Sequence, residues 1–299
     1  MFREPIGNYY VSIKNVDTDE TGDIDHRRRV PITIFYPSKA WEKECPYKDG
    51  AYQKSAPHFV DNGVRTYCGI DAEFINTERS LPVVIYSHGL TGFEMESTVL
   101  CADIASKGYI VASVGHPYGS SAVTYTDGST FIDDTPFENL KKNLNALEAL
   151  WYEDILAATK KLREMNSSDS GWSGKLNMNS VGILGVSFGG CCGIAAVLKD
   201  DTYKYAVNLD GSLLTELDFI YKDKPILILC SRFNVMAYRK LSVAGCTSVE
   251  IEKIKKVTHW EYSDGIYLSD KGKSNREWAD RVSKYRAERI TDFIEKVSS

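Results

Sequence analysis

Residues 182–193 read GILGVSFGGCCG, and this stretch carries the pattern Gly-x-Ser-x-Gly at positions 185–189. An apolar strand-like run, SVGILG over 180–185, leads into the pattern, and a segment of helical period, Phe188 to Lys199, follows it. This order of strand, turn and helix is typical of a nucleophile elbow, in which a serine is presented on a sharp turn at the end of a strand. The glycines let the chain turn tightly and pack closely beside that serine. The stretch therefore predicts that Ser187 is a catalytic nucleophile.

The rest of the chain continues the alternation of strands and helices. Strands are predicted over 81–87 (LPVVIYS), Tyr109 to Val114, 205–209 (YAVNL) and 225–230 (PILILC), with a further strand-like run over Val249 to Val257. Helical periods cover Glu94 to Lys107, Pro136 to Met165 and Ser274 to Val297. Short apolar strands that alternate with longer helices indicate the α/β class, with a mostly parallel sheet covered on both faces. We expect residues 1–299 to form a single domain.

The N-terminal part of the chain departs from this alternation. Two antiparallel strands are predicted over Tyr9 to Lys14 and Val30 to Tyr36, followed by an irregular, aromatic-rich excursion over about 37–81. A long connection without regular elements is often functional, so one interpretation is that it covers the mouth of an active site. The other is that it packs on the surface.

Composition and charge exclude several classes of protein. Hydrophobic residues make up 43% and charged residues 26% of the chain, and the formal net charge is -5. These fractions are ordinary for a soluble globular protein, and the charge provides no positive field for nucleic acid. No apolar stretch has transmembrane length, and the N-terminus lacks the apolar core of a signal peptide. Seven irregularly spaced cysteines favour reduced thiols, and we therefore expect a cytoplasmic location.

A serine hydroxyl attacks an acyl group well only when a histidine removes its proton and a carboxylate orients that histidine. In the nucleophile-elbow architecture the chain order is serine, acid, histidine. His259 is the only histidine after Ser187 in the sequence. We therefore expect His259 to be the general base.

The acid is predicted from its position in the chain. Asp210 directly follows the strand over 205–209, at the carboxyl end, where open α/β sheets place their sites. Asp210 is therefore expected to orient the histidine. The other carboxylates between Ser187 and His259 include Asp200, Asp201, Glu216, Asp218 and Asp223.

An acyl-transfer site also needs backbone donors for the negative charge that develops on the substrate oxygen. These are usually the amide after the nucleophile and one from a loop after an earlier strand. Phe188 supplies the first, and Leu90, in the His-Gly-Leu sequence after LPVVIYS, is expected to supply the second. His88 is expected to have a structural role in that loop. Trp260, beside the predicted base, lines a substrate pocket or is an ordinary core aromatic.

Five segments together resemble the plasma-type (isoform II) platelet-activating factor acetylhydrolase family of α/β-hydrolases. They are SHGL at 87–90, IASKGYIVASVGHP at 104–117, GVSFGG at 185–190, LDG at 209–211 and HWEYSD at 259–264. The resemblance runs from about Pro31 to the C-terminus. It implies an α/β-hydrolase fold and a serine esterase of lipid metabolism that removes short acyl groups without a metal or another cofactor.

Carried over by motif, the resemblance implies the same site residues as the analysis above. The nucleophile falls on Ser187, the acid on Asp210 and the base on His259, with the oxyanion amides on Leu90 and Phe188. The sequence His116-Pro117-Tyr118 follows the strand predicted over Tyr109 to Val114. This sequence resembles bacterial carboxylesterases of the group more than its eukaryotic members. The leading hypothesis is a carboxylic ester hydrolase with a small-molecule ester as its substrate.

Two alternatives remain open at the level of sequence. The same three side chains support a thioesterase, an amidase or an acyltransferase, because identical groups carry out several acyl transfers. The second alternative is a ligand-binding module that uses a hydrolase scaffold without catalysis.

Overall fold

The computed structural model describes residues 2–22, 27–47, 64–168, 171–213, 215, 223–231, 241 and 246–298. The strands are β1 (Tyr10–Asp17), β2 (Pro31–Ser38), β3 (Glu44–Pro46), β4 (Arg65–Ile70), β5 (Leu81–Ser87), β6 (Ile110–Val114), β7 (Val123–Thr124), β8 (Thr130–Phe131), β9 (Leu176–Val186), β10 (Tyr203–Leu209), β11 (Ile226–Cys230) and β12 (Val249–Lys253). The α-helices are α1 (Thr98–Ser106), α2 (Phe137–Leu140), α3 (Leu144–Ser168), α4 (Phe188–Lys199), α5 (Gly265–Leu268), α6 (Asp270–Ser274) and α7 (Arg276–Ser298). Short 3-10 turns cover Lys141–Asn143 and His259–Tyr262.

Ten strands form one sheet in the order β12-β11-β10-β9-β5-β6-β2-β1-β4-β3. The six strands from β12 to β6 run parallel to one another. Strand β2 pairs antiparallel with both β6 and β1. The predicted mostly parallel sheet is therefore confirmed. Because parallel strands all end at one edge, the loops after β5, β9, β10 and β11 lie side by side there.

The sheet is covered by helices on both faces, as the buried strand sequences predict. Apolar side chains of α1 and α7 pack in one hydrophobic core, and those of α3 and α4 pack in the other. Strand β6 is buried at all its positions. Its continuous apolar run is typical of a parallel strand that is covered on both faces.

Helix boundaries differ from the sequence prediction in two places. The helix expected over Glu94 to Lys107 begins only at Thr98, because the Asp264 carboxylate accepts hydrogen bonds from the amides of Thr98 (2.7 Å) and Val99 (3.2 Å). The helix expected over Pro136 to Met165 is divided into α2, a 3-10 turn and α3. The cap on α1 comes from a residue 166 positions away, which periodicity cannot indicate.

The expectation of an irregular excursion over 37–81 is wrong for its described part. Strand β4 pairs in parallel with β1, and β3 pairs with β4, so the segment extends the sheet. Edge strands have unpaired backbone groups that favour such an addition. Phe74 stacks on Tyr36 with ring centroids 5.6 Å apart. Residues 48–63 lie outside the described residues.

One continuous sheet extends from β3 to β12, which supports our proposal that residues 1–299 form a single domain. Within the described ranges, no helix has the length and apolar character needed to cross a membrane.

Candidate active site

Ser187 occupies the turn between the end of β9 and the start of α4. Its backbone has φ 53° and ψ -121°, a region that a residue with a side chain seldom adopts and that marks stored strain. The Ser187 amide donates to the Leu209 carbonyl at 2.9 Å, which ties the turn to the end of β10. The geometry is that of a nucleophile elbow.

The two glycines of the motif are required by close backbone approach. A Cβ atom on Gly185 would lie 2.4 Å from the carbonyl carbon of Gly189. A Cβ atom on Gly189 would lie 2.2 Å from the Ser87 carbonyl oxygen and 2.3 Å from that of His88. A side chain at 185 would therefore overlap the backbone of Gly189, and one at 189 would push the turn away from the segment Ser87–His88.

His259 lies between the serine and the acid. Its Nε2 is 2.9 Å from Ser187 Oγ, and its Nδ1 is 2.8 Å from Asp210 Oδ2. A carboxylate only accepts, so Nδ1 carries the proton and Nε2 is available to accept the serine proton. A capping box between Thr258 and Glu261 holds the 3-10 turn that begins at His259. The three side chains predicted from the sequence are therefore brought into one hydrogen-bonded chain.

Asp210 is held by a second, unpredicted partner. Its carboxylate accepts from the Ser231 amide at 2.6 Å and from Ser231 Oγ at 2.9 Å, and the residue is 1% exposed. Ser231 directly follows β11, the neighbour of β10 in the sheet. Its position at a strand end is the signal that could have indicated it from the sequence.

The Leu90 and Phe188 amides, which are expected to bind an oxyanion, belong to residues that lie close to Ser187. Phe188 is the first residue of α4, where amides have no acceptor within the helix. Leu90 follows Gly89, and a Cβ atom on Gly89 would lie 3.4 Å from Ser187 Cβ. Leu90, Phe188 and Ser187 line the same cavity.

The cavity at these residues has a volume of about 580 Å³, which falls in the range of about 300–1,000 Å³ that small-molecule sites occupy. Trp260 lines it and is 63% exposed, so it is not a core aromatic. Phe188 also lines it, but is 4% exposed and packs against Trp151 with ring centroids 4.9 Å apart. No described residue of 37–81 contributes to the lining.

Glu96 is a cavity residue that sequence reasoning missed. It is 5% exposed, and its Oε1 accepts a hydrogen bond from the Gly89 amide at 2.7 Å. Burial raises the pKa of Glu96 to about 7, against the opposing effects of the Gly89 amide, the Tyr86 hydroxyl and the neighbouring His259. No local motif indicates this residue, because its partners are set by the fold.

A second serine, histidine and aspartate array lies behind the site. His116 bonds to Ser87 Oγ through Nε2 and to Asp154 Oδ2 through Nδ1, both at 2.9 Å, and Arg28 Nε donates to Asp154 Oδ1 at 2.7 Å. Burial lowers the pKa of His116 well below its ordinary value and raises that of Asp154 to about 7. Trp151 stacks on the His116 ring at 4.0 Å. Ser87 and His116 are completely buried, so this array stabilises the end of β5 and has no access to a substrate.

No cluster of three possible metal-ligating side chains occurs in the part of the chain that the structure describes. The seven cysteines are all buried, and none of them forms a disulfide. Cys191 and Cys192 lie on α4 and face its apolar core.

The family model of platelet-activating factor acetylhydrolase, isoform II, matches residues 58–142. The platelet-activating factor acetylhydrolase of Gallus gallus is 23% identical over 229 residues, covering 63% of this chain and 54% of that protein. Its counterpart in Canis lupus familiaris is 26% identical over 236 residues, covering 66% of this chain and 51% of that protein. The chain thus spans about half the length of these curated relatives.

Two solved structures share the fold. A ferulic acid esterase from Streptomyces cinnamoneus superposes with a TM-score of 0.73 at 21% identity, over 99% of this chain and 91% of that one. The Pyrococcus horikoshii acylaminoacyl peptidase superposes with a TM-score of 0.57 at 13% identity, over 96% of this chain and 42% of that one. The predicted α/β-hydrolase fold and the resemblance to the isoform II acetylhydrolases are confirmed.

Proposed function

We propose that this α/β-hydrolase, a relative of the isoform II platelet-activating factor acetylhydrolases, is a serine carboxylic ester hydrolase. The observation that carries the proposal is the unbroken chain from Ser187 Oγ through His259 to Asp210, with contacts of 2.9 and 2.8 Å. The strained backbone of Ser187 presents its hydroxyl to His259, and a serine that faces such a base can act as a nucleophile.

In the proposed reaction Ser187 Oγ attacks the ester carbonyl carbon while its proton passes to His259 Nε2. The tetrahedral intermediate collapses when the bond to the alcohol oxygen breaks, and that oxygen takes the proton from Nε2. An acyl group then remains on Ser187. Water attacks the acyl carbon and gives a proton to His259 Nε2. The bond between Ser187 Oγ and the acyl carbon then breaks, Oγ takes the proton back from Nε2, and the carboxylic acid leaves.

The Leu90 and Phe188 amides are proposed to bind the oxyanion in both tetrahedral intermediates. Their support is the close approach of the Gly89 segment to Ser187 and the position of Phe188 at the first turn of α4. Donors that are fixed before the reaction stabilise developing charge without reorganisation.

The substrate is proposed to be a small-molecule ester with a short acyl group, with a role in lipid metabolism. The acetylhydrolase relatives support the short acyl group. A cavity of about 580 Å³ exceeds what an acetyl group needs, so we assign the remaining volume to the alcohol part. Trp260, which is exposed at the mouth, is proposed to contact that part.

We propose a cytoplasmic location from the state of the cysteines. All seven cysteines are buried thiols outside any disulfide, which favours a reducing compartment.

Hydrolysis of p-nitrophenyl esters from acetate to decanoate tests the proposed function. Native protein should prefer the short chains, and Ser187→Ala at matched folding should lose the activity. Matched thioesters and amides serve as competitors. A higher kcat/KM for either competitor would replace the ester assignment, and failure of the native protein to turn over any of them would favour a binding module.

A further inference from the structure

Glu96 lies in the loop between β5 and α1 and reaches back to the start of that loop. Its Oε1 accepts from the Gly89 amide at 2.7 Å and lies 3.1 Å from the Tyr86 hydroxyl. That hydroxyl is also 2.6 Å from Ser97 Oγ. Glu96 therefore holds the first peptide of the loop from inside the cavity.

The next peptide of the loop is held through its carbonyl oxygen. The Gly89 carbonyl accepts from His88 Nδ1 at 2.7 Å and from the Gly92 amide at 2.9 Å. In a trans peptide the N–H and the C=O point in opposite directions. The N–H of Leu90 is therefore directed away from His88 and Gly92.

Both peptides that flank Gly89 are thus fixed, one through Glu96 and the other through His88. They lie beside the nucleophile, because a Cβ atom on Gly89 would approach Ser187 Cβ to 3.4 Å and Glu96 Oε1 to 3.7 Å. The direction of the Leu90 amide depends on this pair of anchors, and an oxyanion donor is effective only when its direction is fixed.

We propose that Glu96 is a positioning residue whose carboxylate holds the loop that presents the Leu90 amide to the oxyanion. This inference rests on the proposed ester hydrolysis. A hydrogen bond to an ionised acceptor is about twice as strong as one between neutral groups, so protonation of Glu96 loosens the loop. Acid therefore lowers turnover through Glu96.

The groups that face Glu96 leave few other titrations in the same range. Burial raises the pKa values of Tyr86, Tyr47 and Cys101 well above their ordinary values, so these groups remain neutral. Asp264 donates its amide to the Glu96 carbonyl at 2.7 Å, and burial raises the pKa of its carboxyl as well. Arg286 faces Asp264, and His259 faces the Glu96 carboxyl.

The sign of the effect follows from these shifts. Glu96 has a pKa of about 7, so it is ionised and holds the loop above that pH, and it loses this strength as the pH falls through 7. Glu96→Gln keeps the shape and an acceptor oxygen but cannot ionise. The native protein and Glu96→Gln both retain Asp264 and His259. A difference between their two pH profiles is therefore due to Glu96.

The test measures kcat and KM for p-nitrophenyl acetate from pH 5.5 to 9 in the native protein, Glu96→Gln and Glu96→Ala. On the acid side, log kcat/KM should fall more steeply for the native protein than for Glu96→Gln, with a difference in slope of up to about one, because one ionisation is removed. Glu96→Ala should lower kcat on the order of 10²-fold at pH 8 with little change in KM. Glu94→Gln is the matched control, because Glu94 is equally buried but lines a different cavity. It should keep the native profile.

An NMR titration of the Gly89 amide, after selective glycine labelling, provides a readout that needs no turnover. The resonance should shift with a midpoint near pH 7 in the native protein and stay constant in Glu96→Gln, whether or not Glu96→Ala folds. An active native protein whose acid slope and Gly89 resonance match those of Glu96→Gln would overturn this inference alone. A native protein that hydrolyses no ester would overturn the proposed function, and this inference with it.

Discussion

At the scale of single residues, His259 depends on Asp210 for its tautomer. The 2.8 Å contact between His259 Nδ1 and Asp210 Oδ2 keeps the proton on Nδ1. An asparagine at 210 would offer an N–H to this nitrogen and favour the tautomer that cannot accept the Ser187 proton. Asp210→Asn should therefore lower kcat on the order of 10⁴-fold, and His259→Ala about 10⁶-fold, in steady-state ester hydrolysis.

Asp223→Asn is the control for these variants, because Asp223 is an exposed carboxylate that bonds to Thr247 and Ser248. Its kcat should equal the native value. Native turnover by a folded Asp210→Asn variant would remove Asp210 from the mechanism.

Ser187, Asp210 and His259 could be predicted as site residues because each follows a strand-like run in the sequence, either directly or within a few residues. Ser231 also directly follows a strand-like run, but its contact with Asp210 could not be predicted, and no strand end marks Glu96. Their roles depend on the carboxylate of Asp210, 21 positions away, and on the amide of Gly89, which the fold brings to them.

At the scale of elements, the turn between β9 and α4 requires a glycine at 189. A Cβ atom there would overlap the carbonyl oxygens of Ser87 and His88, at 2.2 and 2.3 Å, and backbone cannot rotate away as a side chain can. We expect Gly189→Ala to destabilise the protein by about 2 kcal/mol, measured by urea unfolding, and to lower kcat because the oxyanion loop is displaced.

Gly193→Ala is the matched control in the same helix. Its Cβ atom would lie 2.9 Å from a methyl group of the Ile183 side chain, which must shift but is not backbone. Alanine also favours the helix by up to about 1 kcal/mol over glycine, so the loss of stability should be smaller than at 189. Equal stability losses at 189 and 193 would contradict the close-approach argument.

The buried array of Arg28, Asp154, His116 and Ser87 shows why elements are only partly predictable. Its contacts join positions 126 and 38 residues apart along the chain. Each residue alone resembles an ordinary polar residue near a strand or helix. The helix periods predicted the presence of α3, but not that its Asp154 would be the central carboxylate of this array.

At the scale of the whole molecule, Arg3 anchors the N-terminal segment to both α1 and α7. Its guanidinium donates to Asp103 at 2.8 Å and to Ser283 at 3.1 Å, and Asp103 is completely buried. Removal of one partner leaves a buried charge without compensation. Arg3→Met should therefore lower the free energy of unfolding by about 3 kcal/mol, while kcat stays unchanged because no group of the site contacts Arg3.

Arg281→Met provides the comparison on the surface. Its pair with Glu277 is exposed on both sides, and such pairs contribute little to stability, so urea unfolding should be unchanged. Equal effects of the two variants would show that the N-terminal segment is not held by the Arg3 pair.

The α/β class and the mostly parallel sheet were predicted because apolar strand runs and helical periods are local. The position of β3 and β4 was not predicted, because neither strand has an apolar run of its own. Strand β4 pairs with the otherwise unpaired edge of β1, and β3 pairs with β4.

In the proposed reaction, Ser187 carries the acyl group during turnover. Rapid quenching of the protein after it is mixed with p-nitrophenyl acetate, followed by peptide mapping, detects that acyl group. An acetyl group on Ser187 in the native protein, with none on Ser187→Ala at matched folding, is the predicted result. Ester hydrolysis with no acyl group on Ser187, or acetylation of another residue at the rate of turnover, would contradict it.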